Sequence, residues 1–410
     1  MSGEKPAAQD VAAGTLDRET RRLIIVLGVG GFASSFSMRI LDPAVPTMAV
    51  QLQRSIDDIA LLATGSSLAY AFGQPVLGSL GDAFGKARLV SICAAILGLT
   101  SVLCALAPSY ESLVAARLLA GIAAGGIIPL AMASIGDRVV MADRQVAIAR
   151  FLIATISGQI AGAALSGLLQ ASIGWRGVFL LAAGLALAAS FAAFGMLWRG
   201  ERGDSRRLDP GAMVRRYGDV LRNPHAPRLC AVVAVEGGLV YGLFPFLAAL
   251  LEERTGAGPR EAGIAIACFG VGGLLYGALV SWIVRSLGPA RMVVVGGLAM
   301  ASALLLLGVA RHWSARFPAM LLHGFGFNML HNTLQTQATS LSETARGSAV
   351  ALFAFSLFAG SALGPIGISP LLREAGVFGA LSMLALALAS LGCASPRFLG
   401  LNSPAPHRPR

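Results

Sequence analysis

The chain has 410 residues, of which 55% are hydrophobic and only 13% are charged, and its mean hydropathy is +0.71. A soluble fold is excluded, because a protein of this composition would expose more apolar surface in water than it could hide. The net charge of +11 is concentrated in the connections between apolar segments, where it can face anionic lipid headgroups, so nucleic acid is not expected as a partner.

Twelve apolar, charge-poor windows follow one another along the chain, each long enough to cross about 30 Å of hydrocarbon as a helix. Helices are expected because an open sheet edge in lipid would leave backbone groups without hydrogen bonds. The predicted membrane helices lie at 23–50, 58–80, 88–108, 112–134, 148–172, 176–198, 229–251, 262–284, 291–310, 316–338, 348–371 and 376–396. The expected fold class is an all-α integral membrane protein with twelve transmembrane helices.

Arginine and lysine are concentrated in one set of alternate connections, which includes both chain ends. Short loops rich in these residues stay on the cytoplasmic side of a membrane. We therefore expect a multi-pass protein of the plasma (bacterial inner) membrane with both termini in the cytoplasm. The polar first twenty residues lack the pattern of a secretory signal, so the first apolar window is expected to remain as a membrane helix.

The chain repeats itself at an offset of 202 or 203 residues. Gly85, Ala87, Arg88, Val90, Arg144, Ala147, Gly158 and Gly162 recur as Gly288, Ala290, Arg291, Val293, Arg346, Ala349, Gly360 and Gly364. This duplication predicts two pseudo-symmetric six-helix bundles that can rock about a central cavity. The predicted divisions are a cytoplasmic N-terminal tail at 1–22, a bundle at 23–198, a cytoplasmic linker at 199–228, a bundle at 229–396 and a cytoplasmic C-terminal tail at 397–410.

Charged residues inside the predicted spans are few, and three of them lie at similar depth. Arg39 and Asp42 share one face of the first span, about 25 to 30 Å along its axis from the cytoplasmic end. Arg117 lies about 8 Å into the fourth span from the external end, so contact with Asp42 is allowed. Because an ionisable residue within a membrane is costly, each is a candidate for proton coupling. The alternatives are a fixed counter-ion for Asp42 and, for Arg117, a structural arginine satisfied by helix-end carbonyls.

The connection after the second span contains Gly78, Asp82, Gly85 and Arg88, with Ala83 after the aspartate. It resembles the glycine, aspartate and basic loop signature of the major facilitator superfamily, although that signature usually has a basic residue at the position of Ala83. An aspartate there can accept hydrogen bonds from a helix N-terminus or pair with an arginine, so we interpret the loop as a gate. An ordinary basic cytoplasmic loop is the alternative.

Two further runs are similar to signatures of the same superfamily. Arg117, followed by Gly121 and Gly125, resembles a buried-arginine signature that implies a link to proton transfer. The fifth and eleventh spans resemble its glycine-rich antiporter signature, which normally has a proline where Ala163 stands. Close approach at these glycines predicts that the two helices form a hinge contact between the halves. The expected hinge residues are Gly158, Gly162, Gly360, Gly364 and Pro365.

Glu236 in the seventh span and His331 in the tenth should lie level with each other, about 10 Å from the cytoplasmic ends. The resemblance implies that the first, fourth, seventh and tenth spans line the cavity. Histidine and glutamate are well suited to exchange protons near neutral pH, so both are proton-coupling candidates. With Asn328 and Asn332, they are also candidates for contact with substrate; the alternative for all four is packing between helices.

The resemblance implies a proton-coupled secondary transporter, similar to the drug:proton antiporters, that exports a small organic molecule by alternating access. Its expected partners are substrate, protons and the lipid bilayer, and a monomer is expected. A cofactor, a metal site and enzymatic activity are not expected, since the proton gradient supplies the energy. Proton-coupled uptake of a metabolite is the first alternative, and a non-transporting receptor or membrane enzyme is the second.

Overall fold

The structure, a computed structural model, describes residues 18–197, 210–310, 312–342 and 346–401, which are almost entirely helical. The predicted tail at 1–22 therefore lies mostly outside the described residues, as do the first part of the linker and most of the C-terminal tail. The helices are α1 (Arg18–Arg39), α2 (Val45–Leu52), α3 (Ile56–Phe84), α4 (Lys86–Leu106), α5 (Tyr110–Arg138), α6 (Met141–Leu197), α7 (Pro210–Leu221), α8 (His225–Tyr241), α9 (Phe244–Thr255), α10 (Pro259–Val309), α11 (Arg316–Ser340) and α12 (Arg346–Phe398).

Seven helical segments among the described residues are long and apolar enough to cross a membrane. They are Arg18–Leu52, Lys86–Leu106, Tyr110–Arg138, Asp143–Met196, His225–Glu253, Pro259–Val309 and Gly347–Phe398. Three of these exceed 50 residues, far more than the roughly 20 needed for one crossing. Helices α3 and α11 also coincide with predicted spans, but polar residues lower their hydropathy. The chain is a multi-pass membrane protein.

A single non-helical glycine divides each of the three longest helices. Gly174 in α6 has φ 66° and ψ 173°, and Gly288 in α10 and Gly376 in α12 have nearly the same angles. This conformation is almost restricted to glycine because a Cβ would be strained there. Each long helix is therefore two helices joined at one residue.

Residues in positive-φ conformations repeat at the same offset as the sequence. Gly85, between α3 and α4, corresponds to Gly288, and Gly174 corresponds to Gly376. Gln53, which ends α2 in a left-handed conformation, corresponds to Gly256 at the end of α9. The duplication is thus visible in the backbone as well as in the residue types.

Both predicted spans that open the two halves are interrupted. Helix α1 ends at Arg39 and a short 3-10 turn, Asp42–Ala44, precedes α2. Pro43 and Pro46 lack the N–H groups needed to continue the hydrogen bonds of α1. In the second half, α8 ends at Tyr241 and α9 begins at Phe244. Helix α1 begins at Arg18, five residues before the start of the predicted membrane span.

The hinge glycines contact helices of their own half rather than the opposite half. A Cβ added at Gly158 or Gly162 would overlap the backbone of Phe32 or Phe36 in α1. A Cβ at Gly360 or Gly364 would overlap the backbone of Ala234 or Gly238 in α8, at the same offset of 202 residues. The close approach was predicted correctly, but its partner was not, because glycine spacing alone does not identify the neighbouring helix.

The two halves meet through two other pairs of helices. Gly167 of α6 faces Gly263 of α10, where an added Cβ would come within 3 Å of the opposite backbone. On the other side, the rings of Tyr70 in α3 and Phe358 in α12 lie 4.2 Å apart. Helices α6 and α12 therefore do take part in the contact between the halves, but through Gly167 and Phe358 rather than through the predicted hinge glycines.

Candidate functional site

A small cavity of about 30 Å³ lies between the two halves. It has room for about one or two water molecules, so the halves are closed around it. All charged groups in the cavity wall come from the N-terminal half, whereas the C-terminal half contributes aromatic, proline and serine side chains. The lining residues are Met38, Arg39, Asp42, Ala63, Ser66, Ser67, Arg117, Tyr241, Pro245, Phe358, Ser361 and Pro365.

Arg39 and Asp42 form an ion pair at the break in the first span. Arg39 Nη1 donates to Asp42 Oδ2 at 3.3 Å, because the turn after α1 places the carboxylate beside the last residue of that helix. The Arg39 guanidinium also lies 4.6 Å from the ring centroid of Tyr241 and 4.5 Å from that of Phe244. These cation–π contacts join the two halves directly at the cavity.

Arg117 is buried beside the same cavity and is held by neutral oxygens. Its Nε donates to Ser66 Oγ at 3.1 Å and its Nη1 donates to the Ser37 carbonyl at 3.4 Å. These contacts fix the guanidinium between α1, α3 and α5. Arg117 and Asp42 therefore share one cavity, as the depth of each in its span suggested. Their roles in proton coupling stay predictions.

Glu236 and His331 are brought together within the C-terminal half. His331 Nδ1 lies 3.1 Å from Glu236 Oε2, and Glu236 is completely buried. The imidazole stacks on Phe327 and packs against Phe353 of α12, with ring centroids about 5 Å apart. The second carboxylate oxygen, Oε1, has no hydrogen-bond partner among the described residues. This contact matches the packing alternative and is equally compatible with a site that exchanges a proton.

Asn328 and Asn332 do not join that pair. Asn328 donates to the Gly324 carbonyl at 2.9 Å and lies against Gly273 of α10. Neither amide is among the residues that line the small cavity, so their contact with substrate stays a prediction. Polar and apolar residues are spread around α11 so evenly that its sequence does not mark the face that points inward.

The gating-loop residues lie around the turn between α3 and α4. Gly85 adopts φ 97° there, Gly78 lies within α3, and Arg88 lies in the first turn of α4. The side chain of Asp82 lies outside the described residues, so its pairing stays a prediction. Sequence reasoning missed an ion pair at this end, in which Lys86 Nζ lies 2.5 Å from Asp137 Oδ2. The position of Asp137 near the end of α5 could have indicated this ion pair.

A polar contact joins the halves at the opposite end of the molecule. Ser369 Oγ of α12 donates to Asp57 Oδ1 of α3 at 2.6 Å, and Arg373 Nη1 lies 3.9 Å from Asp57 Oδ2. No motif or spacing pairs Asp57 with Ser369, which are 312 positions apart in the chain. Because α3 and α12 belong to different halves, this contact holds that end closed.

We expect Asp57→Ala to open this end of the molecule. Loss of a hydrogen bond to a charged acceptor is worth about 1.5 to 3 kcal/mol, which shifts the ratio of closed to open states about tenfold or more. Spin labels at Pro108 and Glu374, in a cysteine-free background, should show a larger population of long distances. Asp219→Ala, which breaks an exposed pair with Arg222 beside the end of α7, is the control and should leave the distances unchanged.

Comparison with known proteins gives a consistent assignment of family and fold. The family model described as Major Facilitator Superfamily matches residues 27–365. The chain is 25% identical over 257 residues to the "Uncharacterized MFS-type transporter YwfA" of Bacillus subtilis (strain 168), covering 61% of each chain. It is 28% identical over 159 residues to the "Multidrug export protein EmrB" of Haemophilus influenzae, covering 39% of this chain and 31% of EmrB.

The match therefore spans less than two thirds of the length of either relative. Among solved structures, the chain is similar to a mutant of the nucleoside transporter NupG, with a TM-score of 0.74 and 13% identity. That similarity covers 93% of this chain and 100% of NupG. At this identity the likeness shows the fold alone.

Proposed function

The chain belongs to the Major Facilitator Superfamily, and we propose on this premise that it is a proton-coupled secondary transporter that exports a small organic molecule by alternating access. The observation that carries the proposal is the closed, charged cavity between two repeated halves. A site enclosed at the contact of two pseudo-symmetric bundles can be exposed to either side when the bundles rock. The name of EmrB, a multidrug export protein, supports export of an organic compound.

Twelve spans, six in each half, provide the bundles for this motion. The break at Gly174 gives two spans in α6, and the breaks at Gly288 and Gly376 divide α10 and α12 in the same way. The first span of each half is broken: α1 and α2 together form it in the N-terminal half, and α8 and α9 form it in the C-terminal half. The remaining spans are α3, α4, α5 and α11. An even count keeps both termini on one side, which the distribution of Arg and Lys assigns to the cytoplasm.

Proton coupling is assigned to the buried ionisable groups. Glu236 with His331 lies within the C-terminal half, and Asp42 pairs with Arg39 and lines the same cavity as Arg117. Protonation or deprotonation at either site changes the net charge that is buried when the two halves close, and so changes the relative stability of the closed state. Coupling requires that proton and substrate each bind the two conformations with different affinities.

Uptake is the second candidate, and one residue favours it. Ala163 stands where the antiporter signature has a proline, and its carbonyl packs against Gly263 at the contact between the halves. An alanine leaves the α6 hydrogen bonds unbroken at this contact, whereas a proline would bend the helix.

Proton movement in inverted membrane vesicles tests the proposal. Vesicles containing the protein are acidified inside by respiration, and a panel of structurally varied compounds is added outside, at the former cytoplasmic face. An exporter should release protons from the lumen when its substrate is added, as followed with a pH-sensitive dye. Vesicles without the protein are the control. Proton movement only in right-side-out vesicles would indicate uptake, and no response in either orientation would favour a non-transporting protein.

A further inference from the structure

We infer that the substrate of the central cavity is a small organic monoanion, a carboxylate or sulfonate with an apolar body, bound by Arg39 and Arg117. The inference rests on the proposed transport function and names the chemical class of its substrate. Its basis is the charge of the cavity wall.

The cavity encloses more positive than negative charge. Arg39 and Arg117 contribute two guanidinium groups, and Asp42 contributes the one carboxylate among the residues that line it. The remaining lining residues are uncharged. Because Asp42 forms its ion pair with Arg39, the hydrogen bonds of Arg117 described above go to neutral oxygens of Ser66 and Ser37. The wall therefore carries a net charge of about +1 when Asp42 is ionised.

An anion would compensate this charge where it is most costly. Arg117 is only 3% exposed, its hydrogen bonds go to neutral oxygens, and Asp42, the carboxylate that shares its cavity, is already paired with Arg39, so the buried charge of Arg117 is only partly compensated. Its hydrogen bonds to Ser66 and Ser37 use Nε and Nη1, whereas a guanidinium offers five N–H donors. The remaining donors suit the two oxygens of a carboxylate or sulfonate. A cationic substrate would instead add to an existing positive charge.

The opposite wall suits the rest of the molecule. Tyr241, Phe358 and Pro245 line the C-terminal side and can pack against an apolar or aromatic body. In the closed state the Arg39 guanidinium lies against the rings of Tyr241 and Phe244 of the other half. Separation of the halves breaks these contacts and releases Arg39 toward the ligand. The anion then binds the open and closed states with different affinity, as alternating access requires.

Three probes that share one body and differ in charge test the inference: 4-phenylbutyrate, 4-phenylbutan-1-ol and 4-phenylbutylammonium. Binding to the purified full-length protein is measured by calorimetric titration. The anion should bind saturably, and the alcohol and the cation should bind at least tenfold more weakly, since neither can accept a charge-assisted hydrogen bond from the two guanidinium groups. Equal or tighter binding of the cation, or no binding of the anion, overturns the inference.

Variants of the two arginines locate the binding. Arg117→Gln and Arg39→Gln should each weaken binding of 4-phenylbutyrate about tenfold or more, whereas Arg117→Lys, which keeps the charge, should retain part of it. Arg176→Gln removes an arginine that lies over Trp175 and away from the cavity, and it should bind as the unsubstituted protein does. The melting temperature of each variant without probe checks its fold. Undiminished binding in Arg117→Gln or in Arg39→Gln overturns the assignment.

A transport measurement separates this inference from the proposed function. If vesicles move protons in response to 4-phenylbutylammonium and not to 4-phenylbutyrate, the transporter proposal stands and the anionic substrate is wrong. If 4-phenylbutyrate binds through Arg117 and no compound of the panel moves protons, the binding site stands and the transport proposal is wrong.

Discussion

Replacement of Glu236 by glutamine should abolish proton-coupled transport while the protein still folds. Glutamine has nearly the shape of glutamate, and its amide oxygen can accept a hydrogen bond from His331 across the same 3.1 Å. It cannot bind or release a proton. Glu236 is completely buried within the C-terminal half, so a carboxylate on the protein surface cannot reach its position and exchange the proton instead.

Substrate accumulation measures the size of this effect. Each proton exchanged across a difference of one pH unit supplies about 1.36 kcal/mol, enough to sustain about a tenfold concentration ratio. The unsubstituted protein should reach such a ratio in vesicles, and Glu236→Gln should bring inside and outside concentrations to equality. Melting temperature in detergent should differ little between the two.

Glu253→Gln is the matched control, since Glu253 is an exposed carboxylate on α9, later in the same broken span. It should accumulate substrate as the unsubstituted protein does. If Glu236→Gln sustains the full ratio, Glu236 has no part in coupling and its contact with His331 is structural. Asp42 would then be the remaining acidic candidate among those we identified.

The depth of groups in the membrane could be predicted from sequence, because depth follows from a constant rise per residue. Counting residues from the span ends placed Glu236 level with His331 and Arg117 near Asp42, and the structure brings each pair to one place. Which face of a helix a residue occupies could not be predicted in this way. Asn328 is a candidate for the cavity from sequence, yet its amide donates to the Gly324 carbonyl of its own helix, because polar and apolar residues are spread around α11 too evenly to mark the face that points inward.

Contacts between distant parts of the chain were the least predictable feature. Glycine spacing showed that backbones must approach closely near Gly158 and Gly360, but it did not show that the partners are α1 and α8. No local sequence pattern predicts the contact of Asp57 with Ser369, because this contact depends on how the two folded bundles pack against each other. The repeat offset was the strongest signal, since it reappears in backbone angles and in the glycine contacts.

Replacement of Gly360 by alanine should be among the most destabilising single-methyl changes in the chain. The new Cβ would overlap the carbonyl oxygen and the Cα of Ala234, and these backbone atoms cannot turn aside as a flexible side chain could. Helices α8 and α12 would have to move apart, and overpacking of this kind costs about 1 to 3 kcal/mol. Thermal unfolding in detergent should show a markedly lower melting temperature and a lower yield of folded protein.

Gly367→Ala is the matched control on the same helix. A Cβ at Gly367 meets nothing within 4 Å, and alanine is favoured over glycine in a helix by about 0.5 to 1 kcal/mol. Its melting temperature should therefore be equal or higher. Gly158→Ala, which would overlap Phe32 at the equivalent place in the first half, should resemble Gly360→Ala. Equal melting of Gly360→Ala and Gly367→Ala would contradict the close packing of α8 on α12, on which the positions of Glu236 and its neighbours depend.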